Sequence, residues 1–381
     1  MLARTERWCA INSGTRNIAG VGAMAEELAD AFAKLPGEVV LVPPTAVESV
    51  TPDGTVSAIE HGRHVRVTVR PEARVQILLT GHMDTVYPAD HGFQTARWID
   101  ADTLNAPGGA DMKGGLSLML EALLACEAAG ADFGYEVVIN SDEETGSLSS
   151  AALLAEAAKG KVAALTYEPA LPDGTLAGAR GGTGNFSIVV TGRSAHAGRN
   201  PEDGRNAIVA AADLAVRLNA AKGAGLAVNP ARIDGGGPNN VVPDLAVLRV
   251  NFRPADNAAI ARAKAAIDDA VAAVTTAHDV AIHVHGSFNR PPKPIDDGAA
   301  RLFALVKAAG ADLGQPIAWR ATGGVCDGNN IAACGVPVVD TMGARGGAIH
   351  SSDEFLIVPS LAERAALSAV TLLRLGAGAL A

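Results

Sequence analysis

The stretch VQILLTGHMD, residues 75–84, decides the fold of this chain. Its apolar run, Val75–Leu79, is nearly continuous and is followed by a Thr-Gly pair, which is typical of a strand buried in a parallel sheet. The polar residues His82 and Asp84 come directly afterwards. In open α/β sheets, ligands bind outside the carboxyl ends of the strands. The stretch therefore predicts a buried parallel strand with candidate site residues at its end.

The residues on both sides of this stretch continue the pattern of an α/β sheet. Val65–Val69 alternates polar and apolar residues, which predicts a half-buried strand. Gly115–Ala129 places leucines at helical spacing and predicts an amphipathic helix. Strands that alternate with helices indicate an α/β sheet that is covered on both faces. The other elements predicted here are the helices Met24–Leu35 and Ala151–Ala158 and the strands Val137–Asn140 and Val162–Tyr167.

The pattern changes after about Gly181. The order becomes β-α-β-β-α-β, which is the ferredoxin-like split unit, and it ends at Pro291-Pro292. We therefore predict a large α/β domain in two parts, residues 1–180 and 292–381, with a small domain of residues 181–291 inserted between them. The predicted elements of the insert are Asn185–Thr191, Asn206–Ala220, Leu226–Asp234, Leu245–Arg253, Ala258–Ala277 and Val280–His285.

The composition is that of an ordinary globular protein with an acidic surface. The 381 residues include 31 basic and 41 acidic ones, for a net charge of -10. Nucleic acids and anionic membranes are therefore not expected as main partners. No apolar run reaches about 18 residues, so no transmembrane helix is predicted. The 4 cysteines are far apart and are interpreted as reduced thiols of a cytoplasmic protein. His61, His64 and His278 are interpreted as surface histidines.

Polar clusters follow three of the predicted strands, at Gly81–Thr85, Asn140–Gly146 and Tyr167–Pro169. All three occupy the strand ends at which ligands bind in such sheets, so they could converge. A glycine-rich segment, Gly108–Gly115, carries an aspartate just before a helix, and Ile349–Glu354 adds a late histidine. Imidazoles and carboxylates without cysteine suit Zn, Mn or Co. The clusters together therefore predict a metal site.

Each cluster taken alone also has a plainer interpretation. The Glu143-Glu144 pair could divide two tasks, with one glutamate ligating a metal and the other taking a proton from water. Such a pair is more often a solvated loop, and Glu168 before Pro169 could be an exposed turn residue. The glycine-rich segment lacks the Gly-Lys-Ser/Thr ending of a phosphate-binding loop, so nucleotide binding is disfavoured.

The order of these clusters resembles the metallopeptidase family that contains glutamate carboxypeptidase (carboxypeptidase G), acetylornithine deacetylase, succinyl-diaminopimelate desuccinylase and aminoacylase-1. The similarity extends over nearly the whole chain. It implies an α/β zinc-peptidase-like catalytic domain with an inserted ferredoxin-like lid or dimerisation domain. The segments that carry it are Gly81–Val86, Gly109–Gly115, Ser141–Ser147, Tyr167–Pro169, Ser194–Gly198 and the late His350.

The resemblance implies a role for each matching residue of the large domain. Two Zn²⁺ ions per subunit are expected, with Co²⁺ or Mn²⁺ as alternatives. Asp84 would hydrogen-bond the first metal-ligating histidine and fix its tautomer. Glu143 would be the general base that deprotonates a water bridging the two metals, and the peptide bond after Asp111 would be cis. The implied ligands are His82, Asp111 and Glu168 for one metal and Asp111, Glu144 and His350 for the other.

The resemblance also assigns residues of the insert. His196 would reach into the active site of a partner subunit and stabilise the oxyanion, which implies a homodimer. Asn240 would contact the substrate, and Arg253 and Arg290 would bind its carboxylate. Arg180, at the junction of the domains, is a further candidate for this contact. The segment Thr322–Asp327 resembles a Gly-Gly-Thr-Asp loop of the family but carries Val325-Cys326, so side-chain specificity is not transferred.

These features together predict a dinuclear zinc amidohydrolase, or metallo-carboxypeptidase, that cleaves the amide bond of N-acyl amino acids or of C-terminal residues of short peptides. The motif wording is nearest the glutamate carboxypeptidase branch and favours release of glutamate or a similar amino acid. Two alternatives stay open at this point. One is a deacylase of acetylornithine or succinyl-diaminopimelate type, and the other is a non-catalytic metal-binding interaction protein.

Overall fold

The structure is a computed structural model that describes residues 1–380. Its α-helices are α1 (Leu2–Cys9), α2 (Ile18–Phe32), α3 (Gly114–Ala128), α4 (Ala151–Ala158), α5 (Ala207–Ala220), α6 (Asn257–His278), α7 (Asp297–Asp312), α8 (Asp327–Ala333) and α9 (Ser360–Gly376). Its strands are β1 (Glu38–Val42), β2 (Val47–Val50), β3 (Val56–Ile59), β4 (His64–Val69), β5 (Gln76–His82), β6 (Arg97–Trp98), β7 (Thr103–Asn105), β8 (Gly134–Asn140), β9 (Ala163–Thr166), β10 (Leu176–Arg180), β11 (Thr183–Thr191), β12 (Leu226–Gly235), β13 (Leu245–Pro254), β14 (Ala281–Arg290), β15 (Trp319–Thr322), β16 (Val338–Val339), β17 (Gly346–Gly347) and β18 (Phe355–Ile357).

Two compact units are formed by the chain. The first contains residues 1–46, 60–180 and 293–381, and the second contains residues 47–59 and 181–292. The predicted α/β class is confirmed, because each unit combines a β-sheet with packed helices.

The centre of the first unit is a sheet with the order β1-β4-β8-β5-β9-β16. Strands β8, β5, β9 and β16 run parallel, whereas β1 and β4 pair antiparallel at one side. Successive side chains of a strand point to opposite faces. In β5, Ile77 and Leu79 therefore join one core, whereas Leu78 joins the core on the other face with residues of α4 and α8. This two-sided burial explains why the stretch is continuously apolar.

The second unit has a four-stranded antiparallel sheet with the order β12-β13-β11-β14. Its element order is β11-α5-β12-β13-α6-β14, as the β-α-β-β-α-β pattern predicted. The buried faces of α5 and α6, which are rich in alanine, pack on one side of the sheet. Phe186, Phe252 and Phe288 form an aromatic cluster there, with ring centroids 5.2–5.8 Å apart. Aromatic contacts of this kind add to the stability gained from burial alone.

The hairpin of β2 and β3 belongs to the second unit, although its residues precede β5 in the sequence. Val50 of the hairpin forms a small core with Val189 and Val247, which point away from the helix-covered face of the sheet. The Arg249 side chain donates a hydrogen bond to the Val50 carbonyl oxygen at 2.7 Å. The predicted large domain, which begins with residues 1–180, contains this hairpin, whereas the structure groups residues 47–59 with the second unit. The hairpin covers apolar side chains that the second face of the sheet would otherwise expose to water.

Two of the three histidines predicted at the surface are buried, so that interpretation was wrong for them. His64 is 1% exposed and His61 is 9% exposed. His64 begins a central strand, and its Nδ1 accepts a hydrogen bond from the Ser141 amide at 3.2 Å. His278 is half-buried and lies 3.0 Å from Asp213. Among the helices of residues 1–380, none is long and apolar enough to cross a membrane.

Candidate metal centre

His82 is the last residue of β5 and is almost completely buried. Its Nδ1 lies 2.9 Å from the backbone carbonyl oxygen of Asp84. Because a carbonyl oxygen only accepts hydrogen bonds, Nδ1 carries the proton. The other ring nitrogen, Nε2, faces two carboxylates, with Asp111 Oδ1 at 3.0 Å and Glu168 Oε2 at 3.7 Å. The tautomer of His82 thus leaves Nε2 available as a ligand.

The Asp84 carboxylate connects the ends of two neighbouring strands. It accepts the Thr15 hydroxyl at 2.7 Å and the backbone amides of Glu143 and Glu144, each at 3.2 Å. Its Oδ1 is 3.5 Å from Nδ1 of His82, farther than its own carbonyl oxygen. Asp84 therefore orients His82 mainly through its backbone, whereas its side chain fixes the loop that carries the two glutamates.

Asp111 lies in the glycine-rich segment, and the peptide bond between Asp111 and Met112 is cis. Its loop is held by Glu354, which the sequence analysis quoted only as the end of a polar segment. Glu354 Oε1 accepts the amides of Ala110 and Asp111 at 3.0 Å, and Oε2 accepts the amide of Gly108 at 3.2 Å. Its spacing of four residues from the late histidine was the signal that could have identified it.

The Tyr87 hydroxyl completes the hydrogen bonding of Glu354. It donates to Oε2 of Glu354 at 2.7 Å and lies 2.8 Å from the Ser351 carbonyl oxygen. Glu354 therefore connects the loop of Asp111 with the loop that carries His350. Sequence reasoning did not select Tyr87, because nothing local to it marks this distant contact.

His350 joins the cluster from the last loop before β18. Its Nε2 lies 3.3 Å from Asp111 Oδ2 and 3.2 Å from Glu144 Oε2. The side chain is 53% exposed, whereas those of Asp111 and Glu144 are buried. Its backbone has φ of 63°, in the left-handed region that non-glycine residues rarely adopt. Such conformations are concentrated at functional sites.

The titration of the cluster reflects its crowded charges. Burial alone would lower the pKa of His82, but Glu168 and Asp111 raise it well above its usual value. Hydrogen bonds to Asp111 and Glu144 raise the pKa of His350 to about 11. Burial, and then the charge of Asp111, raise the pKa of Glu144 to about 8. The carboxylates thus hold more negative charge than the imidazoles balance, which favours binding of a cation.

The side chains fit a divalent metal in spacing and in chemistry. The ligand atoms of His82, Asp111 and Glu144 lie within 4.8 Å of one another, and so do those of His82, Glu143 and Glu168. A tetrahedral ion with bonds of about 2.0–2.1 Å separates its ligand atoms by about 3.3–3.4 Å. Glu168 Oε1 is buried and has no hydrogen-bond partner within residues 1–380. A buried, unpaired carboxylate oxygen of this kind is well suited to a metal.

A cavity of about 490 Å³ adjoins the cluster within the first unit. Asp111, Glu143, Glu144, Glu168 and His350 line one part of it. Its remaining wall includes the apolar residues Leu171, Leu176, Ala177, Val325 and Ile349 and the basic residues Arg180 and Arg320. The cavity is large enough for a small ligand beside the carboxylates.

The guanidinium of Arg180, one of the predicted substrate contacts, makes its hydrogen bonds within the protein. Its Nε and Nη2 donate to the Asp340 carboxylate at 2.7 and 3.0 Å, and its Nη1 donates to the Gly324 carbonyl at 3.0 Å. Lys293 also lies 3.3 Å from Asp340. Although burial opposes it, the charge of Arg180 holds the pKa of Asp340 below its usual range. Arg180 therefore supports the cavity wall.

The other predicted substrate residues lie in the second unit. His196 and Asn240 are both exposed. Their segments are adjacent, because the Ala197 amide donates to the Asn240 carbonyl at 2.9 Å. Arg253 is exposed and donates to Asn251, and Arg290 is buried at the end of β14. The structure thus brings the predicted residues of the first unit together and places the others in the second unit. They are His82, Asp84, Asp111, Glu143, Glu144, Glu168 and His350 in the first unit and His196, Asn240, Arg253 and Arg290 in the second.

Imidazoles and carboxylates that converge beside a cavity, near the ends of parallel strands, are typical of metal-dependent enzymes. The chain belongs to peptidase family M20/M25/M40, whose model matches residues 78–374. It is 31% identical over 312 residues to carboxypeptidase G2 of Pseudomonas sp. (strain RS-16), covering 79% of this chain and 74% of that protein. The chain is therefore a metallopeptidase-type enzyme, and the predicted family is confirmed.

Two further similarities agree with this assignment. A Mycobacterium tuberculosis protein provisionally named succinyl-diaminopimelate desuccinylase is 28% identical over 330 residues, covering 83% of this chain and 86% of that protein. The structure of an M20 family metallo-carboxypeptidase from Sulfolobus solfataricus superposes with a TM-score of 0.71 at 14% identity, covering 99% of both chains. At that identity the structural similarity supports the fold alone.

Proposed function

We propose that this enzyme hydrolyses the amide bond of N-acyl amino acids or of the C-terminal residue of short peptides, with release of glutamate or a similar amino acid. The observation that carries the proposal is the position of Glu143 beside the cluster of metal-type ligands, in the same cavity. With His82, His350 and the carboxylates of Asp111, Glu144 and Glu168 assigned as ligands, Glu143 is the carboxylate of this cavity that is assigned to proton transfer. The similarity to carboxypeptidase G2 supports cleavage at a C-terminal residue.

The chain's own residues suit two metal ions. His82, Asp111 and Glu168 would hold one, and Asp111, Glu144 and His350 would hold the other, most simply as Zn²⁺, with Co²⁺ or Mn²⁺ as alternatives. When bound, such ions lower the pKa of a water molecule towards about 7 and polarise a carbonyl group. Support for this assignment comes from the short distances from His82 to Asp111 and Glu168, 3.0 and 3.7 Å, and from His350 to Asp111 and Glu144, 3.3 and 3.2 Å. The unpaired Oε1 of Glu168 supports it as well.

Glu143 would act as the general base. Its backbone amide is held by the Asp84 carboxylate at 3.2 Å, and the same carboxylate holds Glu144. The two glutamates therefore keep a fixed relative position while their side chains take different roles. Glu143 would accept a proton from the attacking water and return it to the nitrogen of the leaving amine, so that the amine leaves in a neutral form.

The second unit would serve as a lid and dimerisation domain. His196 from a partner subunit would stabilise the oxyanion, and Asn240, Arg253 and Arg290 would bind the substrate, with Arg180 now the weakest of these candidates. The exposure of His196 and Asn240, side by side, supports a role outside the core of their own unit. Sedimentation of a fully active monomer would contradict the homodimer and the role of His196. The cytoplasmic location stays a prediction.

A desuccinylase-type deacylase is the second candidate, because one relative carries that provisional name. The two functions differ in the leaving amine and in the acyl group. Comparison of kcat/KM for N-acetylglutamate, N-acetylornithine and N-succinyl-diaminopimelate would separate them. A higher value for acetylornithine or for the succinyl substrate would replace our proposal with the second candidate.

The central test is release of amino acids from a pool of N-acyl amino acids and dipeptides, followed by mass spectrometry. Zinc-loaded enzyme should release an amino acid, and chelation should abolish the release. Glu143→Ala should lower kcat by several orders of magnitude with two metals still bound, whereas the exposed control Glu72→Ala should be unaffected. Near-normal turnover in Glu143→Ala would refute the general-base role. A metal-loaded, dimeric protein without any turnover would favour the non-catalytic alternative.

A further inference from the structure

We propose that Arg320 is a specificity-determining residue that binds a second carboxylate of the substrate, so that dianionic N-acyl amino acids are preferred over monoanionic ones. The inference rests on the proposed function and specifies its substrate class. The second carboxylate is one in addition to the α-carboxylate, and it can belong to the amino-acid side chain or to the acyl group. Arg320 is not among the arginines that were predicted from the sequence to bind the substrate, which are Arg180, Arg253 and Arg290.

The position of Arg320 is set by a short parallel sheet at the cavity wall. Strand β15 pairs with β10, and Arg320 lies opposite Ala177 in the register. Both residues line the cavity that also contains Glu143 and His350. A bound substrate with its amide at the acidic cluster would therefore lie in a cavity that Arg320 lines.

The charge of Arg320 is not engaged in an ion pair with residues 1–380 and can attract a ligand, whereas Arg180 and Lys293 both pair with Asp340. Arg180 donates to Asp340 through two nitrogens, and Lys293 donates to the Gly178 carbonyl at 2.8 Å and lies 3.3 Å from the same aspartate. The Arg320 side chain makes no hydrogen bond or ion pair with any of residues 1–380, whereas its backbone takes part in the pairing of β15 with β10. The pKa of exposed Asp173 is lowered by hydrogen bonds from Thr175, whose amide donates at 2.9 Å, and also by the charge of Arg320.

The chemistry of the wall favours an anionic partner for this guanidinium. Leu171, Leu176 and Val325 supply apolar surface to the cavity, and electrostatic attraction is stronger beside such surface than in open water. A guanidinium matches a carboxylate with two parallel hydrogen bonds, which a neutral amide cannot reproduce. Arg320 would thus distinguish a carboxylate from its isosteric amide.

The experiment uses two matched pairs of substrates with the full-length, zinc-loaded enzyme. N-acetylglutamate and N-acetylglutamine differ in the side-chain charge, and N-succinylalanine and N-succinamoylalanine differ in the charge of the acyl group. The preference is the ratio of kcat/KM within each pair. Arg320→Gln removes the charge at an exposed position, so folding should be preserved and can be checked by the melting temperature. Exposed Arg301→Gln on α7 is the matched control.

We expect wild-type enzyme to prefer the dianionic member of at least one pair, and Arg320→Gln to lower that preference about 10- to 100-fold, chiefly through KM. The affected pair identifies whether the side chain or the acyl group carries the second carboxylate. Arg320→Lys should restore part of the preference, and Arg301→Gln should leave it unchanged. An unchanged ratio in Arg320→Gln, with active wild-type enzyme, would overturn the inference alone. Wild-type enzyme inactive on all four substrates would overturn the proposed function as well.

Discussion

Replacement of Glu354 by glutamine tests whether one buried carboxylate holds the loop of Asp111 in place. Glutamine has nearly the same shape but retains a single acceptor oxygen, and its amide group would face donors. If the glutamine oxygen takes the place of Oε1, the amides of Ala110 and Asp111 keep their acceptor, the Tyr87 hydroxyl can donate to the Ser351 carbonyl oxygen, and the Gly108 amide loses its acceptor. At about 1–3 kcal/mol for a buried donor left unpaired, Glu354→Gln should lower the free energy of unfolding by about 1–3 kcal/mol.

The assay is urea unfolding of metal-free protein, followed by tryptophan fluorescence. The chain has 3 tryptophans, Trp8, Trp98 and Trp319, and all lie in the first unit, so the signal reports on the unit that contains the substitution. Measurements at pH 8 keep Glu354 ionised, because burial raises its pKa to about 7. The exposed neighbour Asp353→Asn is the control and should change the free energy by less than about 0.5 kcal/mol. A loss below about 1 kcal/mol in Glu354→Gln would refute the reasoning.

Two further predictions concern stability in each unit. Asp340→Asn leaves the buried cations Arg180 and Lys293 without their carboxylate and should cost about 3–5 kcal/mol in urea unfolding. Asp312 forms an ion pair with Arg374 at the surface and serves as the comparison. Asp312→Asn should lower the free energy of unfolding by at most about 1 kcal/mol. Equal losses in the two variants would contradict this account. In the second unit, Phe252→Ala empties a fully buried site and should cost about 3–5 kcal/mol by calorimetry; a loss under about 1 kcal/mol would show that the aromatic cluster does not stabilise the unit.

Local sequence patterns were sufficient for the elements that form the two sheets. Helix α4 matches its prediction residue for residue, and β4 begins one residue before the predicted Val65–Val69. In these segments the apolar residues recur with the period of the strand or helix, and the same residues are buried. The pattern can therefore be recognised without knowledge of the elements that pack against them. The polar ends of β5 and β8 were equally visible, because each follows its strand directly in the sequence.

Features that depend on distant partners were not visible. Arg180 was predicted as a candidate substrate contact from its place at the junction of the domains, since its partner, Asp340, lies 160 residues away and is not visible from the sequence. His64 was placed at the surface because a histidine at the start of a strand gives no sign of the Ser141 amide that it binds in the interior. The hairpin Val47–Ile59 was assigned to the large domain because its sequence neighbours belong there. Its contact with the second unit, between Val50 and Val189, forms only in the folded chain. In each case a tertiary contact decides the environment of the residue.

The hairpin Val47–Ile59 also determines how this protein can be divided into fragments. A fragment limited to residues 181–292 would leave Val247, now fully buried, open to solvent, together with the neighbouring Val189. Such a fragment would have an exposed apolar patch on the face of the sheet that the hairpin normally covers, and it would tend to aggregate. A soluble module would need residues 47–59 attached through a new linker. The second unit is therefore built from two separate segments of the sequence, and a fragment made of one continuous segment does not contain all of it.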